Sequence, residues 1–456
     1  MSRRLEIVVV CTLLLATTLV GVSSPVDADS STNGLLPADN SAGTAASAHT
    51  TGAIDFTNPF FQPLGTNPRT CATCHDPAAG WTLTPELVQE KFVASGGLDP
   101  LFNLLDTGNC PNGDVSTLAA RQATFSLTLS KALMRFTTRL PVGAEFAVVA
   151  LDDPYGCATP TAFFRYRRPN PTANAAHSTS ITWTGVTADV FTTLKTLMSG
   201  AVRFHEQRDP LNPLSAQEQT AGATFMLGLS FAQAVDKQAG ALDLAGAEGG
   251  PALLAAEPFY VGINGFPTDP ITGQAFDPVS LTIFDAWEAL DPQADQRNRF
   301  RSQIAAGGDV FYTKQFAISG VAGLNDVLGQ DPIQGTCTTC HNTPQVGSNS
   351  QFVLMNTGTA DGSRRPADLP LLTLQNTATG AIQTTTDLGR AISTGKWADI
   401  GKFKPPPLRG LAARAPFFHD GSAESLHDVV TFYKERFHID FTDDEAANLV
   451  RFLEAL

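Results

Sequence analysis

Apolar residues recur at helical spacing in several stretches of the chain. Leu194, Leu197, Met198 and Val202 share one helix face, Leu426, Val429, Val430, Tyr433 and Phe437 another, and Leu449, Val450, Phe452, Leu453 and Leu456 lie on an amphipathic closing helix. Start signals agree with this pattern. Thr84-Pro85 opens one helix at its first position, and Ser215 with Glu218 and Thr442 with Glu445 read as capping boxes. Between Phe146 and Tyr166 the β-branched and aromatic residues alternate irregularly, as in short strands or extended loop. Gly240 to Pro278, rich in Ala, Gly and Pro, reads as a long surface excursion. The expectation is a mainly α fold with long loops and little β.

The N-terminal end carries a different pattern. Arg3 and Arg4 precede an apolar run from Ile7 to Val22, and Val26-Asp27-Ala28 offers a small-residue cleavage site, so residues 1–28 read as an export signal. A membrane anchor is the competing reading, but the run is only marginally long enough to span. Residues 29–53, mostly Ser, Thr, Ala, Gly and Asn around their centre, read as a flexible linker. An exported chain meets an oxidising compartment, here the periplasm, where thiols left over from other chemistry pair as disulfides.

There are seven cysteines, and Cys11 lies within the signal. Four of the rest fall in two copies of one pattern, Cys71-Ala72-Thr73-Cys74-His75 and Cys337-Thr338-Thr339-Cys340-His341, each preceded by Thr. Composition predicts roughly 0.002 chance copies of this haem-attachment pattern. The spacing suits the chemistry: two thiols one short turn apart reach the two vinyl groups of a haem, and His75 or His341 then lies beneath the iron as its ligand. Two covalently attached c-type haems are therefore expected, one in a domain spanning 54–305 and one in a domain spanning 306–456. Cys110 and Cys157 remain as the expected disulfide. Thirty Lys plus Arg against 44 Asp plus Glu give a formal charge of −14, which excludes a basic nucleic-acid-binding face and permits docking of a basic redox protein.

The run from Lys404 to Ser422, containing Pro405-Pro406-Pro407-Leu408-Arg409-Gly410 and Ala415-Pro416-Phe417-Phe418-His419-Asp420-Gly421, resembles the bacterial di-haem cytochrome c peroxidase and MauG family, and Ser425 to Tyr433 continues the likeness. The resemblance implies two cytochrome c-like haem domains, hydrogen peroxide as substrate at the N-terminal haem, and an electron-donor cytochrome or other redox protein as partner. It places Tyr433 at the second axial position of the C-terminal haem, where the family has methionine or tyrosine. Met355 is the rival. A phenolate stabilises oxidised iron, so Tyr433 points to a MauG-like protein whose second haem stores or relays oxidising equivalents.

The resemblance also sets Trp183 between the haems and aligns Glu206, with His205 and Gln207 as alternates, with the family's distal acid-base residue. Lys402, Lys404, Arg409 and Arg414 are candidates for haem propionates, Arg409 foremost. Relatives hold calcium between the domains with an asparagine, whereas Arg168 stands at that position and puts calcium in doubt. No histidine occurs between His75 and His177 to close the N-terminal iron in the family's usual way. The competing function is a di-haem electron carrier in which His177 or His205 fills the sixth position.

Overall fold

A computed structural model describes residues 34–185 and 189–456, so the expected export signal lies outside the described residues. Helix makes up 33% of the structure and strand 17%, spread over several sheets, which overturns the mainly α expectation. The missed strands hide for identifiable reasons. Leu36–Asn40 and Gly43–His49 form an antiparallel hairpin from the stretch read as a linker, and its Ala, Ser and Thr side chains carry no apolar alternation. Gly43–His49 in turn pairs with Leu229–Asp236, with Ala46 opposite Ala232 and Ser47 opposite Phe231. Leu229–Asp236 follows directly on the Ala216–Gly228 helix, so its apolar residues simply extend that helix's pattern in sequence.

The expected irregular strands resolve into Phe146–Asp152 and Phe163–Arg167. Phe163–Arg167 pairs with Met134–Thr138, while Phe146–Asp152 pairs with Leu371–Asn376, which also pairs with Ile382–Thr385. Strands distant in sequence thus share one sheet. Cys110 and Cys157 are bonded to each other, tying the loop before Leu118–Thr124 to the turn before Phe163–Arg167.

Two main cores form, one around each Cys-His segment. The first gathers Phe60, Trp81, Leu194, Met198, Val202, Phe225 and Phe231, with Cys71 packed against it. The second gathers Trp287, Phe300, Phe311, Met355, Val430, Phe437 and Phe452, with Cys337, Cys340 and Tyr433 at its edge. Ala239, Leu242 and Ala247 already belong to the second core, so the start of the supposed surface excursion is buried. Residue 305 falls inside the continuous Gln296–Thr313 helix, whose apolar face packs into the second core along its length. The change of core therefore lies well before 305, close to residue 239.

Candidate haem sites

The two Cys-x-x-Cys-His segments adopt the same local structure, and their threonines are the reason. Thr70 and Thr73 close a reciprocal cap around the short turn Cys71–Thr73, and Thr336 and Thr339 do the same around Cys337–Thr339. The histidine amide then donates to the first cysteine carbonyl, His75 to Cys71 at 3.0 Å and His341 to Cys337 at 3.1 Å. Each imidazole is held through Nδ1 by a backbone carbonyl, His75 by Trp81 at 3.1 Å and His341 by Gly347 at 2.6 Å. Donation from Nδ1 leaves the Nε2 lone pair free to bind a metal. Burial keeps both rings neutral, with the His75 pKa pushed down to about 4. It also pushes the thiols up, Cys74, Cys337 and Cys340 to about 12. Paired neutral thiols and a neutral, oriented imidazole fit a c-type haem at both places.

At the second segment, Cys337, Cys340 and His341 open into a cavity of about 210 Å³. Tyr433 and Met355 both line it, as do Phe311, Phe437 and Leu453. Tyr433 stands on the Leu426–Phe437 helix, fixed at its start by the Ser425 and Asp428 capping box. Burial, and then the Cys340 and Cys337 thiols beside it, push its phenol pKa well above the ordinary value. Met355 is buried, and its backbone is paired in both directions with Phe403.

The basic residues divide sharply. Arg409 does not face the cavity; its guanidinium donates to the carbonyls of Gly250, Gln345 and Leu456 and works as a backbone clamp. Arg414 lines the cavity, with Nε on the Gly410 carbonyl and Nη2 on those of Pro407 and Arg409. Lys402 faces Asp326 and Asp399 instead. Lys404 lines the cavity, donates to the Ser180 carbonyl at 3.0 Å, and has its pKa pushed down to about 8 by burial and then by Arg414. Lys404 and Arg414 are thus the two of these four basic residues that line the cavity. His419 was quoted only as part of a motif. It lines the same cavity, buried, stacked on Phe403 at 4.3 Å, with both ring nitrogens unpartnered. Its place in the Phe-Phe-His-Asp-Gly run was the available signal.

Around the first segment the structure gathers a polar cluster. Glu206 follows the Val190–Phe204 helix and is 2% exposed. Its Oε2 accepts from the Leu64 amide at 2.9 Å, and its Oε1 lies 3.8 Å from the Cys71 thiol. Burial raises the carboxyl pKa. His205 Nδ1 meets Asp106 at 2.5 Å, and Asp106 also takes both 2.8 Å bonds from Arg69 Nη1. Gln207 is exposed, in left-handed conformation, with its carbonyl accepting from Thr66. Asp106 and Arg69 carry no motif and were not legible in the sequence. His177 is held elsewhere, its Nε2 on the Glu257 carbonyl and its own carbonyl near Ser348 beyond the second segment.

Trp183 lines the second cavity and donates through Nε1 to the Arg168 carbonyl at 2.8 Å. Thr82 lines that cavity too, next in sequence to the Trp81 carbonyl that holds His75, and donates to the Pro169 carbonyl at 2.5 Å. A short covalent and hydrogen-bonded path thus leads from His75 to the wall of the second cavity.

This donor set, two half-buried thiol pairs each followed by a histidine whose Nδ1 is engaged, is one that fits a c-type haem. No family model matches the chain. It is 30% identical over 142 residues to cytochrome c551 peroxidase of Nitrosomonas europaea, covering 29% of this chain and 36% of that one. It is 33% identical over 136 residues to cytochrome-c peroxidase IdrP2 of Denitromonas iodatirespirans, covering 27% and 36%. The chain thus spans little more than a third of the length of these curated relatives. A solved MauG-like protein associated with microbial copper homeostasis aligns over 69% of this chain and 77% of its own, at 17% identity and a TM-score of 0.35. Over these stretches the chain is similar to bacterial cytochrome c peroxidases.

Proposed function

We propose that the protein is an exported di-haem peroxidase, MauG-like rather than methionine-ligated. Hydrogen peroxide is reduced at the first segment, and the second segment stores or relays oxidising equivalents for a partner redox protein. Each turnover consumes one peroxide, two electrons and two protons and yields two waters. A haem bound at each segment supplies the one-electron redox chemistry, covalently held by Cys71 and Cys74 or by Cys337 and Cys340.

The observation that carries this reading is the contrast between the two sites. The first has Glu206, a buried carboxyl whose pKa burial raises, a group of the kind that moves a proton from one peroxide oxygen to the other. The second is a largely apolar cavity offering the Tyr433 phenol, whose anion would stabilise an oxidised state. Trp183 and the Thr82 path connect them. The disulfide agrees with work in the periplasm.

A second reading has one observation in its favour. His205 presents the same pattern as His75 and His341, with Nδ1 engaged and Nε2 free, and as a sixth ligand it would make the protein a di-haem electron carrier. Absorption and electron paramagnetic resonance of the holo-protein, before and after one equivalent of hydrogen peroxide, separate the two. Peroxidase function predicts high-spin iron at one haem, consumed by peroxide. Glu206→Gln keeps the acceptor for Leu64 and should slow peroxide reduction by about 10²–10⁴. Two low-spin haems that ignore peroxide, even after partial reduction, would establish the carrier.

A further inference from the structure

Arg168 is a buried cation with no carboxylate in contact. Its Nη1 donates to the carbonyls of Arg414, at 2.6 Å, and Pro416, and its Nη2 to those of Leu83 and, at 3.4 Å, Ala415. Nε has no partner. Burial, and then the neighbouring Arg414, depress its pKa to about 9, against a smaller opposing effect of Glu86, and the groups in contact with the guanidinium are backbone carbonyls. These oxygens come from two separate parts of the chain. Leu83 lies in the loop after the first Cys-His segment, and Arg414 to Pro416 lie in the run that walls the second cavity. The Arg168 backbone joins both as well, its amide donating to His419 at 2.8 Å and its carbonyl accepting from Trp183.

Carbonyl oxygens converging from distant segments are what a hard cation such as calcium binds. The family resemblance implies calcium at this join, yet the residues present do not fit it. The guanidinium already takes the oxygens, and a divalent ion within a few ångströms of a buried positive charge would be strongly repelled. The asparagine that would supply a neutral oxygen is replaced by a group with donors only.

We propose that Arg168 is a built-in replacement for the calcium ion of the family: its guanidinium clamps the Leu83 loop to the Arg414–Pro416 segment, making the join between the two haem sites independent of calcium. The proposal rests on the family relationship and not on peroxide turnover. Its test therefore uses metal content, melting and haem spectra.

Wild-type holo-protein purified in calcium-containing buffer should carry no stoichiometric calcium by elemental analysis. Its melting temperature and haem resonance spectrum should be the same in millimolar calcium and in chelator. Arg168→Asn should melt several degrees lower in chelator, and calcium should restore it. Arg168→Lys keeps one charge but loses the planar fork, and should be destabilised with no calcium rescue. One calcium bound per wild-type chain, or a wild-type melting temperature raised by calcium, overturns the proposal even if the variants do not fold. Arg168→Asn melting like wild type in chelator, or unmoved by calcium, overturns it as well. A protein without peroxidase activity that passes these tests would leave the clamp standing.

Discussion

At the scale of single residues, one substitution pair decides how the second site works. Tyr433 and Met355 line the same cavity, and the two side chains bind iron with opposite consequences. A phenolate favours the oxidised state, whereas a thioether raises the reduction potential. If Tyr433 is the ligand, Tyr433→Phe in the holo-protein should convert one low-spin haem signal to high spin and raise that haem's potential, while Met355→Leu leaves both unchanged. The reverse pattern in resonance and redox titration would assign the role to Met355. Spacing alone singles out the two Cys-x-x-Cys-His segments, and the structure gives both the same local form. Helical periodicity says of Tyr433 merely that it points inward, as it does into the cavity wall, and its candidacy as a ligand comes only from the resemblance of the run that precedes it. Asp106, Arg69 and the unpartnered ring of His419 could not be read, because each acquires its setting from segments far away in sequence.

Among the elements, the hairpin Leu36–Asn40 with Gly43–His49 is the instructive miss. Its small residues resemble a tether because the large side chains of the first core, Phe60, Trp81 and Phe231 among them, come from other segments and pack against Ala38 and Ala45. Its Ser47, fully buried, accepts from the Trp81 indole at 2.8 Å, and the Trp81 carbonyl in turn holds His75. The supposed linker therefore supports the first haem site through one intermediate. Ser47→Ala should leave the indole N–H unsatisfied and cost about 1–3 kcal/mol of stability in urea unfolding. Ser47→Thr, which keeps the hydroxyl, should lose less in hydrogen bonding. Equal losses in both variants would show that packing, and not the hydrogen bond, is what Ser47 provides. The helices Val190–Phe204, Ala216–Gly228, Leu426–Phe437 and Asp443–Ala455 were read from capping boxes and apolar faces, whereas the longest, Gln296–Thr313, was not, and short strands with non-local partners left no local trace. Phe146–Asp152 finds its partner Leu371–Asn376 only once the chain has folded.

Across the whole molecule, Arg167 and Asp387 form a buried pair between the Phe163–Arg167 strand and the loop after Ile382–Thr385, and join early and late parts of the sequence. Nε and Nη2 donate to the two carboxylate oxygens at 2.7 and 2.6 Å, and the guanidinium also lies 5.6 Å from the Phe403 ring. Burial opposes ionisation of Asp387, but Arg167 outweighs it and holds the pKa down at about 2 from an ordinary value of 3.8. A carboxyl whose folded pKa is depressed stabilises the fold above its unfolded pKa and loses that contribution as pH falls through the folded one. Wild-type stability should therefore decline from about pH 4 towards pH 2. Arg167→Ala strands a buried carboxylate and should cost about 3–5 kcal/mol at neutral pH. In that variant burial, the largest effect on Asp387, is opposed only by His419 and the Gly389 amide, so the Asp387 pKa rises and protonation relieves the defect as pH drops. The gap between variant and wild type should narrow on acidification, and Arg167→Met with Asp387→Leu should recover most of the loss because no charge is left unpaired. Urea unfolding of the holo-proteins from pH 7 to pH 3 measures this directly. A gap that stays constant across that range would mean that Arg167 acts through packing on Phe403 and not through its charge.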